Sequence, residues 1–120
     1  MPAEAASVAL ARRHVTSLLR DGGWGTRAVD DVTLMTSELV TNALEHARTP
    51  FTVTVDLTGD RVRVEIRDGD TAQPVSALAP SATDIGGRGL LIVARLSDQW
   101  GVQPGLGGKS VWFERTPDRE

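Results

Sequence analysis

The sequence predicts an α+β fold, a two-layer α/β sandwich in which helices cover one face of a mostly antiparallel sheet. Two observations lead to this prediction. Apolar residues recur at helical spacing up to residue 47, and the period then changes from 3.6 to 2 over residues 51–67. A third helical segment and two short strands follow, which gives the order α-α-β-β-loop-α-β-β.

The first half of the chain contains two predicted amphipathic helices. The first covers residues 3–20 and ends at Asp21-Gly22-Gly23, because glycine is a frequent helix terminator. The second covers residues 28–47 and ends before Pro50, since the residue before a proline is disfavoured in a helix. Its predicted apolar stripe contains Val32, Met35, Leu39, Val40, Ala43 and Ala47.

Strict alternation then predicts a hairpin with one apolar and one polar face. Its strands are residues 51–57 and 61–67, joined by a turn that contains Gly59. A turn-rich stretch follows over residues 68–88. So long an irregular segment in a small domain is usually functional or disordered.

The remaining predicted elements follow this stretch. A third helix is expected over residues 89–97, and short strands over residues 100–102 and 110–114.

Length and composition limit the function. The 120 residues and 12.8 kDa predict one domain over residues 1–120. The absence of cysteine excludes disulfides, thiolate catalysis and cysteine-ligated zinc. The net charge of −3 argues against direct nucleic-acid binding. No apolar run approaches about 18 residues, and Arg12 and Arg13 lie where a secretory signal would not have them, so we expect a cytoplasmic location without membrane attachment.

Glu38 and Asn42 form the first candidate cluster. They are four residues apart on the second predicted helix and therefore share a face. Their apolar neighbours indicate that this face borders the core. A carboxylate and a carboxamide there suit a hard cation such as Mg²⁺, or a bound water. An ordinary hydrogen-bonded pair on a helix is the alternative.

Asp68 is the second candidate, at the end of a strand and before Gly69. An aspartate in this place commonly stabilises a turn by accepting hydrogen bonds from its own backbone. The functional alternative is an acceptor directed into a pocket, where it would bind an exocyclic amine.

The segment Gly86-Gly87-Arg88-Gly89 is the third candidate and leads into an apolar helix. Glycines allow a ligand to approach the backbone closely, and a helix N-terminus attracts anions. Arg88 could add a bidentate phosphate contact. The segment matches neither the Walker loop nor the dinucleotide-binding fingerprint.

In their combined order, these clusters resemble the motifs of the GHKL ATPases, which have the Bergerat fold, and especially the small anti-sigma-factor serine kinases and their histidine-kinase-like relatives. Residues 38–43 look like the family's N box, residues 64–70 like its first glycine box and residues 86–91 like its second. Residues 108–114 are similar to the final strand. The resemblance covers residues 5–115.

The resemblance implies a role for each residue. Asn42 would coordinate Mg²⁺ bound to ATP, Glu38 would act as the general base, and Asp68 would accept the adenine amino group. Residues 71–86 would form a mobile lid over ATP. The implied nucleotide-binding residues are Asn42, Asp68, Gly69, Gly86, Gly87, Arg88, Gly89, Leu90 and Ser110.

The chain departs from the family pattern at two points. Asp70 replaces the usual glycine of the first glycine box, which adds negative charge near a nucleotide. Too few residues precede the first helix for the strand that relatives often have there. We therefore expect a sheet edge exposed to a partner or to the second subunit of a homodimer.

The resemblance implies an ATP- and Mg²⁺-binding regulator that phosphorylates serine or threonine on an anti-anti-sigma protein and also binds a sigma factor. The alternative is a non-catalytic module that captures a partner and whose nucleotide site is degenerate or purely structural.

Overall fold

The structure, a computed structural model, describes residues 6–46, 50–68, 85–105 and 108–117. Three helices and four strands lie within these residues: α1 (Ala6–Asp21), α2 (Thr26–His46), β1 (Phe51–Thr58), β2 (Arg61–Asp68), α3 (Ile85–Leu96), β3 (Gln99–Gly105) and β4 (Gly108–Arg115). The predicted α+β class is confirmed. None of the described helices is long and apolar enough to cross a membrane.

Within the described residues the sheet has the strand order β1-β2-β4-β3, and every neighbouring pair is antiparallel. The two hairpins are therefore joined through β2 and β4, which pair in the centre of the sheet. The ladder between these central strands places Ile66 opposite Val111 and Val64 opposite Phe113. All four side chains are buried, so the middle of the sheet forms one wall of the core.

The helices supply the other wall. On α1 the buried apolar residues Ala11, Val15 and Leu19 recur every four residues, so they form one stripe along the helix. The apolar stripe predicted for α2 is buried from Val32 to Ala43, and its last predicted member, Ala47, lies outside the described residues. Helix α2 packs against both α1 and α3. The buried apolar residues of α2 and α3 are Ala28, Val29, Val32, Met35, Leu39, Val40, Ala43, Leu90 and Val93.

The end of α1 shows why the chain turns at Asp21-Gly22-Gly23. Gly23 has a φ of 79°, a left-handed conformation that only glycine adopts at low cost. The amide of Gly23 donates to the carbonyl of Arg20, and the amide of Trp24 donates to that of Leu19. This is the Schellman arrangement, which satisfies the last carbonyls of a helix. Trp24 follows directly and is buried in the core.

The predicted start of the third helix is wrong by four residues, because α3 begins at Ile85 rather than at Gly89. Glycine is a poor helix former, so local propensity places the start after the glycines. Leu90 and Val93 are fully buried, and tertiary packing of such an apolar face overrides weak propensity. The glycine segment therefore lies inside the first turn of α3 and not before it.

The face of the sheet that points away from the helices carries a charged and aromatic cluster. The Glu114 carboxylate forms ion pairs with Arg61 at 2.8 Å and with Arg63 at 3.3 Å. The Arg63 guanidinium also lies 4.2 Å from the centroid of the Trp112 ring, in a cation–π arrangement. Opposite Trp112 in the ladder is Gly101, which leaves space for the indole.

We predict that Gly101→Ala destabilises the domain. A Cβ at this position would lie 2.8 Å from Trp112 Nε1 and 2.9 Å from two ring carbons, so the indole must move. Overpacking of this kind costs about 1–3 kcal/mol. Urea unfolding followed by circular dichroism measures the loss.

Gly59→Ala is the matched control, because a Cβ at Gly59 meets nothing within 4 Å and its φ is not left-handed. Equal stability of the two variants would contradict the packing of Trp112 against Gly101.

Candidate functional site

Two of the predicted site residues lie on one stripe of α2. Residues at spacings of four, three and four share a helix face, so Asp31, Met35, Glu38 and Asn42 are aligned along α2. Asp31 lies in a cleft with Arg95 and Leu96, so this stripe is the side of α2 that faces α3. Glu38 and Asn42 therefore lie on the α3 side of α2, next to the core.

Asn42 has a buried polar atom whose hydrogen bonding is incomplete. The residue is 7% exposed, and its Oδ1 atom has no hydrogen-bond partner among the described residues. A buried unsatisfied acceptor costs about 1–3 kcal/mol, so its presence requires an explanation. A carboxamide oxygen is a hard donor of the kind that Mg²⁺ binds, and Mg²⁺ takes few protein ligands. Asn42 therefore fits the proposed metal role.

Glu38 is half-buried and forms no ion pair or hydrogen bond with the described residues. Asp31 on the same stripe differs, because it is held by Arg115 at 3.1 Å. A carboxylate that is engaged by no neighbouring cation is available to accept a proton or to orient a hydroxyl group. The pairing of Glu38 with Asn42, which was the structural alternative, is not observed.

The glycine segment contributes backbone groups to this region. Because α3 begins at Ile85, residues 86–88 belong to its first turn. The first four amides of a helix have no partner within the helix, and they concentrate positive potential. Leu90 is fully buried and anchors this end of α3 in the core. The segment thus has the free amides and the glycines that characterise anion-binding helix starts.

Asp68 is the last residue of β2 and pairs with Phe51 of β1 and Lys109 of β4. Every second residue of a strand lies on the same face, so position 68 shares a face with Val64 and Ile66. The side chains of Val64 and Ile66 are buried under the helices. Gly69, Asp70 and the part of the predicted lid over residues 71–84 lie outside the described residues. The last two residues of that predicted lid, 85 and 86, belong to α3.

Ser110 is separated from the rest of the predicted set. It is buried, and the ladder places it opposite Arg67 on one side and Gln103 on the other. Position 110 therefore lies on the same face of the sheet as Arg67, whereas position 68 belongs to the other face. The structure brings Glu38, Asn42 and the start of α3 to one side of the sheet, and it does not bring Ser110 to them.

One charged region of the structure was not recognised in the sequence. A cleft of about 830 Å³ lies between the start of α2, the end of α3 and the end of β4. Its charged residues come from distant parts of the chain, namely Arg27, Asp31, Arg95, Asp98 and Arg115. No local spacing links them, so only the packing of the three elements reveals the cluster.

Comparisons with solved structures identify the same fold in other proteins. The crystal structure of the RsbU and RsbW domains of a Mycobacterium tuberculosis protein matches with a TM-score of 0.76 and 20% identity, and it covers 100% of this chain. The histidine kinase domain of a blue-light activated histidine kinase from Erythrobacter litoralis matches with a TM-score of 0.60 and 20% identity over 96% of this chain.

This chain spans 32% of the first of those chains and 61% of the second. A sequence comparison with curated proteins finds no match. The family model described as the histidine kinase-like ATPase domain matches residues 1–115, almost the whole chain. The chain thus belongs to the histidine kinase-like ATPase domain family.

Proposed function

We propose that the protein binds ATP together with Mg²⁺ and transfers a phosphoryl group to a serine or threonine of an anti-anti-sigma protein, and that it also binds a sigma factor. The observation that carries the proposal is the Oδ1 atom of Asn42, one helical turn from the carboxylate of Glu38, neither of which has a partner among the described residues. Membership of the histidine kinase-like ATPase family supports nucleotide binding. The RsbW-containing neighbour supports the anti-sigma class of regulator through its fold.

The site residues have separate tasks in this proposal. Asn42 binds the metal ion, the amides at the start of α3 bind the phosphates, and Asp68 accepts a hydrogen bond from the adenine amino group. Bound ATP supplies the phosphoryl group, and Mg²⁺ neutralises its charge. Phosphoryl transfer requires mainly positioning and electrostatic stabilisation, which are tasks that such a set can perform.

Glu38 acts on the hydroxyl group of the protein substrate. Its carboxylate orients the hydroxyl group and accepts its proton as the oxygen attacks the γ-phosphorus of ATP. The bond from that phosphorus to the bridging oxygen breaks, and ADP leaves. The lack of a cationic partner among the described residues keeps the carboxylate available for this proton. Partial exposure of Glu38 gives the hydroxyl group of a partner protein access to it.

A non-catalytic role remains the competing function, and Asp70 favours it. This aspartate, two residues after Asp68 in the sequence, adds negative charge at a position where the GHKL motif that the chain resembles has glycine. In that case the domain captures a partner, and the nucleotide is structural or absent.

Replacing Asn42 with alanine should remove Mg²⁺-dependent ATP binding while the domain stays folded. A hydrogen bond or similar contact to a charged group contributes about 1.5–3 kcal/mol of binding free energy. We therefore expect the affinity for ATP in the presence of Mg²⁺ to fall at least about tenfold. Calorimetric titration with Mg²⁺ and with EDTA measures both states.

The control for Asn42→Ala is Thr36→Val. It also removes a buried α2 atom without a described partner, the Thr36 hydroxyl, but that atom is assigned no ligand. Thr36→Val should leave ATP affinity unchanged. Unchanged Mg²⁺-dependent affinity in Asn42→Ala would exclude the metal role of Asn42.

The second prediction concerns base selectivity. The Asp68 carboxylate would accept a hydrogen bond from the amino group of adenine. In GTP the corresponding group is an oxo group, so two hydrogen-bond acceptors would face each other. An unsatisfied polar group costs about 1–3 kcal/mol, and ATP should therefore bind at least several-fold more tightly than GTP. Asp68→Asn should weaken ATP binding, and Asp56→Asn, at an exposed β1 position, should not. Equal affinities for the two nucleotides would indicate that Asp68 is only a turn residue.

The third prediction separates catalysis from binding. Glu38→Ala should retain ATP binding, because neither the metal nor the adenine contact requires Glu38. Phosphate transfer to a serine-bearing anti-anti-sigma protein should fall by about 10²–10⁴-fold, the usual contribution of a general base. A radiolabel transfer assay run beside a nucleotide titration measures both quantities.

Asp30→Ala is the control for Glu38→Ala, since Asp30 is an exposed acidic residue of the same helix. Transfer at the wild-type rate by Glu38→Ala would make Glu38 a structural residue. A wild-type protein that binds a sigma factor but transfers phosphate to no anti-anti-sigma protein would support the non-catalytic function instead.

A further inference from the structure

The cleft between the start of α2 and the end of α3 is distinct from the proposed nucleotide site. Its lining includes Arg27 and Asp31 of α2, Arg95 of α3 and the residues that follow β4. Asp31 and Asn42 lie eleven residues apart on α2, which at 1.5 Å per residue is about 16 Å. The cleft and the nucleotide site are thus at different ends of the helix pair.

The two carboxylates in the cleft are already engaged. Asp31 pairs with Arg115 at 3.1 Å, and Asp98 Oδ2 accepts a hydrogen bond from the amide of Thr116 at 2.6 Å. Arg115 in addition donates to the carbonyl of Thr116. These bonds connect α2, β4 and the segment after α3. With three arginines against two aspartates, the cleft keeps a net positive charge.

The two outer arginines differ from Arg115. Arg27 and Arg95 are exposed, and neither forms an ion pair or a hydrogen bond with any residue that the structure describes. Arg27 also lies in the first turn of α2, where the helix dipole is positive. The cleft therefore presents two available guanidinium groups, which bind carboxylates in a bidentate manner.

We propose that this cleft binds an acidic segment of a partner protein, with carboxylates of that segment paired to Arg27 and Arg95. The volume of about 830 Å³ suits a short piece of chain rather than a small ion. Leu96 and Pro117 add apolar lining, which fits the mixed side chains of a peptide. A nucleic acid fits less well, because the chain has a net charge of −3 and the cleft is a local pocket, not a basic track.

This surface acts independently of the nucleotide. The two sites share helices α2 and α3 but no residues, so a segment bound in the cleft contacts none of the residues assigned to the nucleotide. The same protein can then hold a partner and bind ATP at the same time.

The test is a fluorescence anisotropy titration without nucleotide. The probe is a labelled octapeptide that contains four Glu or Asp residues, and its control is the same peptide with Gln and Asn in their places. The double variant Arg27→Gln/Arg95→Gln should bind the acidic peptide about tenfold or more weakly, since each lost charge-assisted pair is equivalent to about one order of magnitude.

Arg12→Gln/Arg13→Gln is the matched control, with the same charge change at exposed positions of α1. It should bind within twofold of the wild type, and the neutral peptide should bind to none of the proteins. The proposal is overturned if the wild type does not bind the acidic peptide, if both double variants weaken binding equally, or if a short oligonucleotide displaces the peptide at lower concentration than unlabelled peptide does. ATP titration of the same variants, unchanged in all of them, keeps this result separate from the nucleotide site.

Discussion

The packing of α2 between α1 and α3, over the centre of the sheet, is the constraint on which the other features depend. One side of α2 must fill the core with apolar side chains, and fully buried Val32 and Val40 do so. An adjacent stripe faces α3 and carries the polar residues Asp31, Glu38 and Asn42 beside buried Met35. Asp31 on this stripe is neutralised by Arg115, whereas Asn42 further along has an acceptor without a described partner. A single helix thus supplies both core residues and the candidate site residues Glu38 and Asn42.

Most of the architecture could be predicted from the sequence, because the periods are clear. The apolar spacing of α1 and α2 and the strict alternation of β1 and β2 each have a physical cause in a one-sided core. The end of α1 was equally predictable, since Gly23 supplies the left-handed residue that the helix end requires. The start of α3 was not, because burial of Leu90 and Val93 outweighs the weak propensity of the glycines before them.

The candidate site could be predicted only in part. The spacing of Glu38 and Asn42 correctly placed them on one helix face beside the core, and the start of α3 lies on the same side of the sheet. The position of Ser110 could not be deduced, because a strand changes face at every residue and only the register with Arg67 assigns its side. The arginine cleft could not be predicted either, since Arg27 and Arg95 line one cleft through the packing of α2 against α3 and not through sequence spacing.

The pairing of β2 with β4 has a consequence for how chains of this type can diverge. Asp68 pairs across the ladder with Lys109, in a strand that begins forty residues later at Gly108. The entropy of closing a flexible loop rises only logarithmically with its length, so doubling that length costs about 0.6 kcal/mol. A longer connection between the central strands should therefore cost little stability, as long as the sheet and the helices keep their contacts.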